Sequence, residues 1–231
     1  ISSLPFRLTD GQQRCLEEIK RDMASLKPMQ RLLQGDVGSG KTVLALIAAL
    51  ISAQGGHQSA LVAPTEILAK QHFDKISRFL SGLSSGRGKV NCVLLTGAMK
   101  PAARSAAVEE VRSGVAQLVV GTHALLSADV AFRDLGLMII DEQHKFGVKQ
   151  RAALSGKGGT ADVLIMTATP IPRTLAITLY GDLDISVLKE MPPGRREVKT
   201  LCLKSSRKED LYALIEEHVR QGRQAFIVYP L

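Results

Sequence analysis

The sequence has no tryptophan, and aromatic residues fill only 4% of its 231 positions. A grip built on stacked rings therefore has little to work with. Only three cysteines occur, Cys15, Cys92 and Cys202, far apart and never at metal-ligand spacing, so neither a zinc site nor a disulfide framework follows. No apolar run approaches the roughly 18 residues of a membrane-spanning helix. Ile1-Ser2-Ser3-Leu4-Pro5 lacks the charged-then-apolar order of a signal peptide. A soluble protein in a reducing compartment, with no membrane partner, is expected. Internal repeats at solenoid periods and dense basic runs are also missing. There is no initiator methionine, and residues 225–231 break off within an apolar stretch, which leads us to expect a piece of a longer chain.

Basic residues are in excess, with 30 Lys and Arg against 22 Asp and Glu, a net charge of +8. That balance suits a polyanionic partner, but ordinary solubility explains it equally well. With 45% hydrophobic residues, the chain can bury one large core, or one core and part of a second.

Its organising stretch is Gly35-Asp36-Val37-Gly38-Ser39-Gly40-Lys41-Thr42, which has the spacing G-x-x-x-x-G-K-[S/T] of a phosphate-binding loop. Arg31-Leu32-Leu33-Gln34 reads as a strand before it, and residues 43–50 as an apolar helix after it. Inward backbone N–H groups and the helix start favour phosphate, Lys41 can reach the β- and γ-phosphates, and the Thr42 hydroxyl suits Mg2+. A nucleoside triphosphate site is expected, with ATP and Mg2+ as its ligands. No Asn-Lys-x-Asp run specifies guanine. Upstream, Thr9 and Gln12 have the spacing of a capping box for a helix with apolar residues at Leu16, Ile19, Met23 and Leu26. The other use of Gln12 is to read an adenine edge, and the local sequence leaves both open.

Short apolar runs at 59–63, 90–95, 117–120, 137–140 and 163–166 alternate with helical segments. Continuous apolar runs are typical of strands buried on both faces, so a parallel sheet covered by helices is expected, with ligands outside its carboxyl ends. Polar residues follow several runs and should line that edge: Pro64-Thr65-Glu66, Thr96-Gly97, Gly121-Thr122-His123, Asp141-Glu142-Gln143-His144 and Thr167-Ala168-Thr169. Residues 81–88 read as a surface loop. Prolines and a glycine at 191–196 mark a linker between a first unit, 1–190, and a second, 197–231. The second should hold strands at 198–203 and 224–229 around a helix opened by a capping box from Ser206 to Glu209.

Asp141 and Glu142 end an apolar strand on the same expected sheet as the phosphate loop. Asp141 is placed to hold Mg2+ and Glu142 to orient and deprotonate an attacking water.

With these motifs in place, the chain resembles superfamily 2 helicases and translocases. Residues 35–42, 141–144 and 167–169 match their motifs I, II and III. Residues 64–72 resemble motif Ia, while Thr96-Gly97 and Gly121-Thr122-His123 stand at further strand-binding motifs. Within the superfamily, residues 141–151, 167–175 and 180–184 are similar to the RecG family of branch-migration helicases. Transcription-repair coupling translocases share part of these runs but usually carry a second Glu where Gln143 stands, and both families usually have Arg where Lys145 stands.

The resemblance implies a RecA-like P-loop NTPase sheet with helices on both faces and the start of a second RecA-like lobe. It implies catalytic roles for Lys41, Asp141, Glu142, Gln143 and His144, although His144 reads equally as a buried hydrogen-bonded histidine. Thr167, Ala168 and Thr169 would couple ATP to motion, and Gln12 would recognise adenine. Pro64, Thr65, Glu66, Thr96, Gly97, Gly121, Thr122 and His123 would lie along DNA. The implied activity is ATP-driven remodelling of branched or forked duplex DNA, in the cytoplasm of a bacterium or an organelle of bacterial ancestry. A wedge domain would precede Ile1, and most of the second lobe, with its arginine for the γ-phosphate, would follow Leu231. The isolated chain should then hydrolyse almost no ATP. The competing readings are a nucleotide-binding module without motor activity, which has no need of Glu142, and an RNA helicase, whose motif II more often reads Asp-Glu-Ala-Asp.

Overall fold

Each expected apolar run forms a strand in the computed structural model, which describes residues 6–82, 90–142, 161–169, 183–190, 200–204 and 207–228. The strands are β1 (Gln30–Gly35), β2 (Gln58–Val62), β3 (Cys92–Leu95), β4 (Leu118–Gly121), β5 (Leu135–Asp141), β6 (Asp162–Thr167) and β7 (Asp184–Leu188). They make one seven-stranded sheet in the order β3-β4-β2-β5-β6-β1-β7, and every neighbouring pair is parallel. The RecA-like fold class expected from the sequence is therefore present.

Alternate strand residues point to opposite faces, so the sheet has two cores. Leu33, Leu61, Leu137, Ile139, Leu164 and Met166 pack with helices α1 (Asp10–Met23), α2 (Lys41–Gln54) and α3 (Glu66–Gly82). Leu32, Ala60, Val62, Met138, Ile140 and Ile165 pack on the other face with α4 (Pro101–Ser113) and the short 3-10 helix η1 (His123–Leu126). Seven residues of α2 are buried, from Leu44 to Ser52, which explains why it is apolar nearly all round.

Several boundaries differ from the sequence reading. Helix α1 stops at Met23, and Leu26 is fully exposed rather than part of its apolar face. Pro28 disfavours helical geometry just before itself, and Ser25 Oγ donates to the Lys27 carbonyl in the turn that results. Helix α3 runs on through Gly82 into the expected loop. Strand β7 was not foreseen, because its five residues are half polar, as an edge strand's are. Its Ser186 is buried through Arg31, whose Nη1 donates to Ser186 Oγ at 2.8 Å while Nε donates to Asp22 at 2.5 Å, tying β7, β1 and α1 together.

The chain divides into two compact units, Ile1–Pro193 and Gly194–Leu231. In the second, α5 (Lys208–Arg220) buries no residue, and its N-cap is Arg207 without a side-chain cap bond. Ser206 and the expected linker lie outside the described residues. Residues 200–203 and 224–228 are not strands, contrary to expectation. Two isolated strands offer too few ladder bonds and too little apolar cover to form a sheet alone. No described helix is long and apolar enough to cross a membrane.

The entrance of β1 is held by Asp162, whose Oδ1 accepts from the Met29 N–H at 2.7 Å. Burial pushes this carboxyl above its ordinary value of 3.8, with the Met29 bond opposing and Asp22 adding repulsion. The folded state thus holds the proton to higher pH than the unfolded chain, and stability falls as pH rises from about 3.8 through the folded value. Asp162→Asn keeps the acceptor and removes the charge. Urea titrations should show the variant more stable at pH 7 by up to about 1 kcal/mol at this half-exposed position, with the difference vanishing below about pH 3.8.

Candidate functional site

Strand β1 ends at Gly35 and α2 begins at Lys41, so the phosphate-binding stretch is a loop between a strand end and a helix start. Gly40 caps α2 at φ 97°, and a Cβ there would meet Gln12 Nε2 at 2.2 Å. Only glycine satisfies both constraints. The Val43 and Leu44 N–H groups both donate to the Gly40 carbonyl, leaving those of Lys41 and Thr42 without intrahelical acceptors. Ser39 Oγ is buried with no hydrogen-bond partner. Lys41 Nζ lies at the loop mouth and donates to the Gly35 and Asp36 carbonyls at 2.6 and 3.0 Å.

The register of the sheet brings the acids to this loop. Gln34 of β1 pairs with Thr167 of β6, and Met166 pairs with Asp141 of β5, so three adjacent strands end together. Burial pulls the Lys41 ammonium below its ordinary value, while the charges of Glu142, then Asp141 and Asp36, hold its proton on. Glu142 has φ 51°, the left-handed region, which costs a non-glycine residue about 1 kcal/mol or more. Its backbone N–H donates to the Met166 carbonyl at 2.8 Å. Its carboxylate accepts from the Thr167 hydroxyl at 3.1 Å and the Ala168 N–H at 2.9 Å. The Thr169 N–H donates to Thr167 Oγ1 at 3.1 Å, completing the turn. Thr167 and Ala168 therefore grip Glu142 directly, and Thr169 braces Thr167. Asp141 Oδ2 lies 2.9 Å from His72 Nε2, a partner from α3 to which the sequence assigned no role at the nucleotide site. Gln143 and His144 lie outside the described residues.

Gln12 reaches the loop in a way that the local sequence did not show. Its Oε1 accepts from the Thr9 N–H at 3.0 Å in the capping box, and its Nε2 donates to the Ser39 carbonyl at 2.7 Å. It is buried. Both ends of the amide are thus engaged, on the helix cap and on the phosphate loop.

The stretches expected along DNA follow β2, β3 and β4, three neighbours in the sheet. Pro64 is half-buried and Thr65 exposed, with Thr65 Oγ1 accepting from the Leu68 N–H at the start of α3. Glu66 Oε1 accepts from the Ala98 N–H at 2.9 Å, joining this loop to Thr96-Gly97. Thr96 is buried and Gly97 exposed. A Cβ on Gly121 would meet the Leu95 carbonyl at 2.1 Å and Leu125 Cγ at 2.8 Å, so the glycine allows β4 to close against its neighbours. Thr122 is buried and caps η1, accepting from the Ala124 N–H, whereas His123 is exposed.

The donor set fits a nucleoside triphosphate with a hard divalent cation. Free helix-start N–H groups, an orphaned hydroxyl and an ammonium suit phosphate oxygens. The Thr42 hydroxyl and the Asp141 carboxylate suit Mg2+. Among the described residues no group of three or more His, Cys, Asp or Glu could hold a metal. A cation here would therefore share its coordination with phosphate oxygens and water.

Comparison with known proteins bears on the same residues. The model of the DEAD/DEAH box helicases matches residues 9–177, and the chain belongs to that family, which implies ATP use. Within it, the chain is 50% identical over 231 residues to the ATP-dependent DNA helicase RecG of Thermotoga maritima and 48% identical over 233 residues to that of Aquifex aeolicus. A solved structure of RecG bound to a three-way DNA junction superposes with a TM-score of 0.85 at 47% identity, covering all of this chain and 30% of that one. These likenesses bear out the resemblance to RecG in the motif runs. The chain spans 29% of the length of each of the two curated relatives.

Because one buried amide serves cap and loop, Gln12→Ala should destabilise the fold by about 1–3 kcal/mol, leaving the Ser39 carbonyl and the Thr9 N–H unmet. Gln12→Glu keeps an acceptor for Thr9 but cannot donate to Ser39. Chemical denaturation should show both variants below wild type.

Proposed function

We propose that this chain supplies the ATP-binding lobe of a motor that remodels branched or forked duplex DNA. The carrying observation is the Glu142 carboxylate, held by Thr167 and Ala168 beside a phosphate loop whose Lys41 feels its charge. A module that only binds nucleotide has no use for a carboxylate fixed in this way. RecG relatives over the whole chain favour the branched-DNA reading over a transcription-repair coupling translocase.

In this reading the loop from Gly35 to Thr42 wraps the phosphates, and Lys41 carries the positive charge that faces them. Thr42 and Asp141 hold Mg2+, which when bound neutralises charge developing on the phosphate oxygens. Glu142 orients the attacking water and takes its proton at a carboxylate oxygen. Thr167 and Ala168, already bonded to Glu142, and Thr169, bonded to Thr167, relay a change at that carboxylate to the rest of the lobe. Gln143 and His144 continue the same motif. Gln12 positions the loop from behind, and adenine recognition by it would require its amide to exchange a partner. Residues 64–66, 96–97 and 121–123 supply the nucleic-acid edge, with exposed Thr65, Gly97 and His123 as its contacts. The deciding measurement is ATP hydrolysis by the protein that carries this chain, with forked, linear duplex and single-stranded DNA and with RNA. Strongest stimulation by forked DNA is expected, and equal or greater stimulation by RNA would overturn the proposal.

Two substitutions separate binding from chemistry. Lys41→Ala should abolish tight nucleotide binding and turnover together, because the loop loses its cation. Glu142→Gln should bind nucleotide as wild type does and lose at least about 100-fold in turnover, since the amide matches the carboxylate in size but takes no proton. Calorimetry with an ATP analogue and a phosphate-release assay read the two quantities.

DNA affinity should be carried by phosphates and nearly blind to sequence, given the charge of +8 and the few aromatics. Titrations at increasing salt should give a steep linear fall of log affinity with log salt. A flat dependence with strong sequence preference would contradict this.

A further inference from the structure

The face of α3 that packs on the sheet carries Ala69 and Ile76, both buried. His72 lies three residues after one and four before the other, so it shares that face. Its ring reaches the end of β5, where Nε2 stands 2.9 Å from Asp141 Oδ2, with the two side chains only 12% and 14% exposed. A carboxylate only accepts, so Nε2 carries the hydrogen and donates it. The other ring nitrogen, Nδ1, is buried with no hydrogen-bond partner. A buried unmet polar atom costs free energy, so a histidine kept here with Nδ1 unmet is a poor choice merely to fill the core. Here one nitrogen is left unmet while the other is directed at a single carboxylate oxygen. Asp141 Oδ1 has no hydrogen-bond partner among the described residues.

Resting on the nucleotide-site reading above, we infer that His72 is a positioning residue for the cation: its Nε2–H ties down Asp141 Oδ2, fixing the carboxylate so that Oδ1 remains for Mg2+. The physical reason is rotational. An aspartate side chain at a strand end can turn about two bonds, and each unproductive orientation lowers the fraction ready to take a hard cation. One directed hydrogen bond from a helix that is itself packed on the core removes that freedom before the cation arrives. The same bond makes the carboxylate depend on α3, whose first turn carries Glu66.

Two near-isosteric substitutions test the donor rather than the packing. The amide nitrogen of His72→Gln stands about as far from the backbone as Nε2 does, while that of His72→Asn stands where Nδ1 does and falls short of Asp141. In the protein that carries this chain, binding of a fluorescent ADP is titrated with Mg2+ and, separately, measured in EDTA. We expect His72→Asn to need about 10- to 100-fold more Mg2+ for half-effect, the range lost when a group orienting a metal ligand is removed. Its ADP affinity in EDTA should be unchanged, and His72→Gln should stay near wild type in both. A wild-type Mg2+ requirement in His72→Asn, or equal impairment of the two variants, would overturn the inference. Wild-type ADP affinity that does not respond to Mg2+ would instead remove the cation role of Asp141 itself, and the inference with it.

Discussion

The register of three parallel strands is the constraint on which everything else at the site depends. Gln34 stands beside Thr167, and Met166 beside Asp141, because β1, β6 and β5 are locked by ladder bonds and by apolar residues on both faces. A slip of one residue would turn every side chain of a strand to the opposite face and exchange the two cores. Burial on both sides makes such a slip costly. The loop around Lys41, the acids after β5 and the turn after β6 can therefore sit on loops and still be placed as if on rigid elements.

The electrostatics at this edge follow from that placement. Lys41 is partly desolvated, which favours losing its proton, yet three carboxylates within its field oppose the loss. Removing any one of them leaves the ammonium with less compensation. Lys41, Asp141 and Glu142 are in this sense a single charge arrangement, so the effects of replacing them singly should not add.

Much of this was legible in the sequence because it is local. The phosphate loop is eight consecutive residues, the capping box four, and the buried strands short apolar runs. The resemblance implied only a coupling role for residues 167–169; the bonds from Thr167 and Ala168 to Glu142 come from the parallel sheet that brings the ends of β5 and β6 together. What escaped was non-local or unpartnered. His72 and Asp141 are 69 residues apart and meet only through the packing of α3 on the sheet. Gln12 touches Ser39 only because α1 lies against the loop, 27 residues away in sequence. Strand β7 alternates polar and apolar residues too briefly to announce itself. The reverse error arose at residues 200–203 and 224–228, where apolar β-branched composition suggested strands. Strand formation needs a neighbour, and composition does not report one.

Glu66, whose carboxylate accepts from the Ala98 N–H, makes the loops after β2 and β3 a single body. Between them in the sheet stands β4. Neighbouring strands are about 4.8 Å apart, so the three loops span about 10 Å from first to last. In the nucleic-acid reading proposed above, a duplex whose axis follows this edge would advance about three base steps of about 3.4 Å within that span. The spacing of the sheet would in this way set the footprint of the lobe, as a ruler of fixed length rather than a groove that adapts to its cargo.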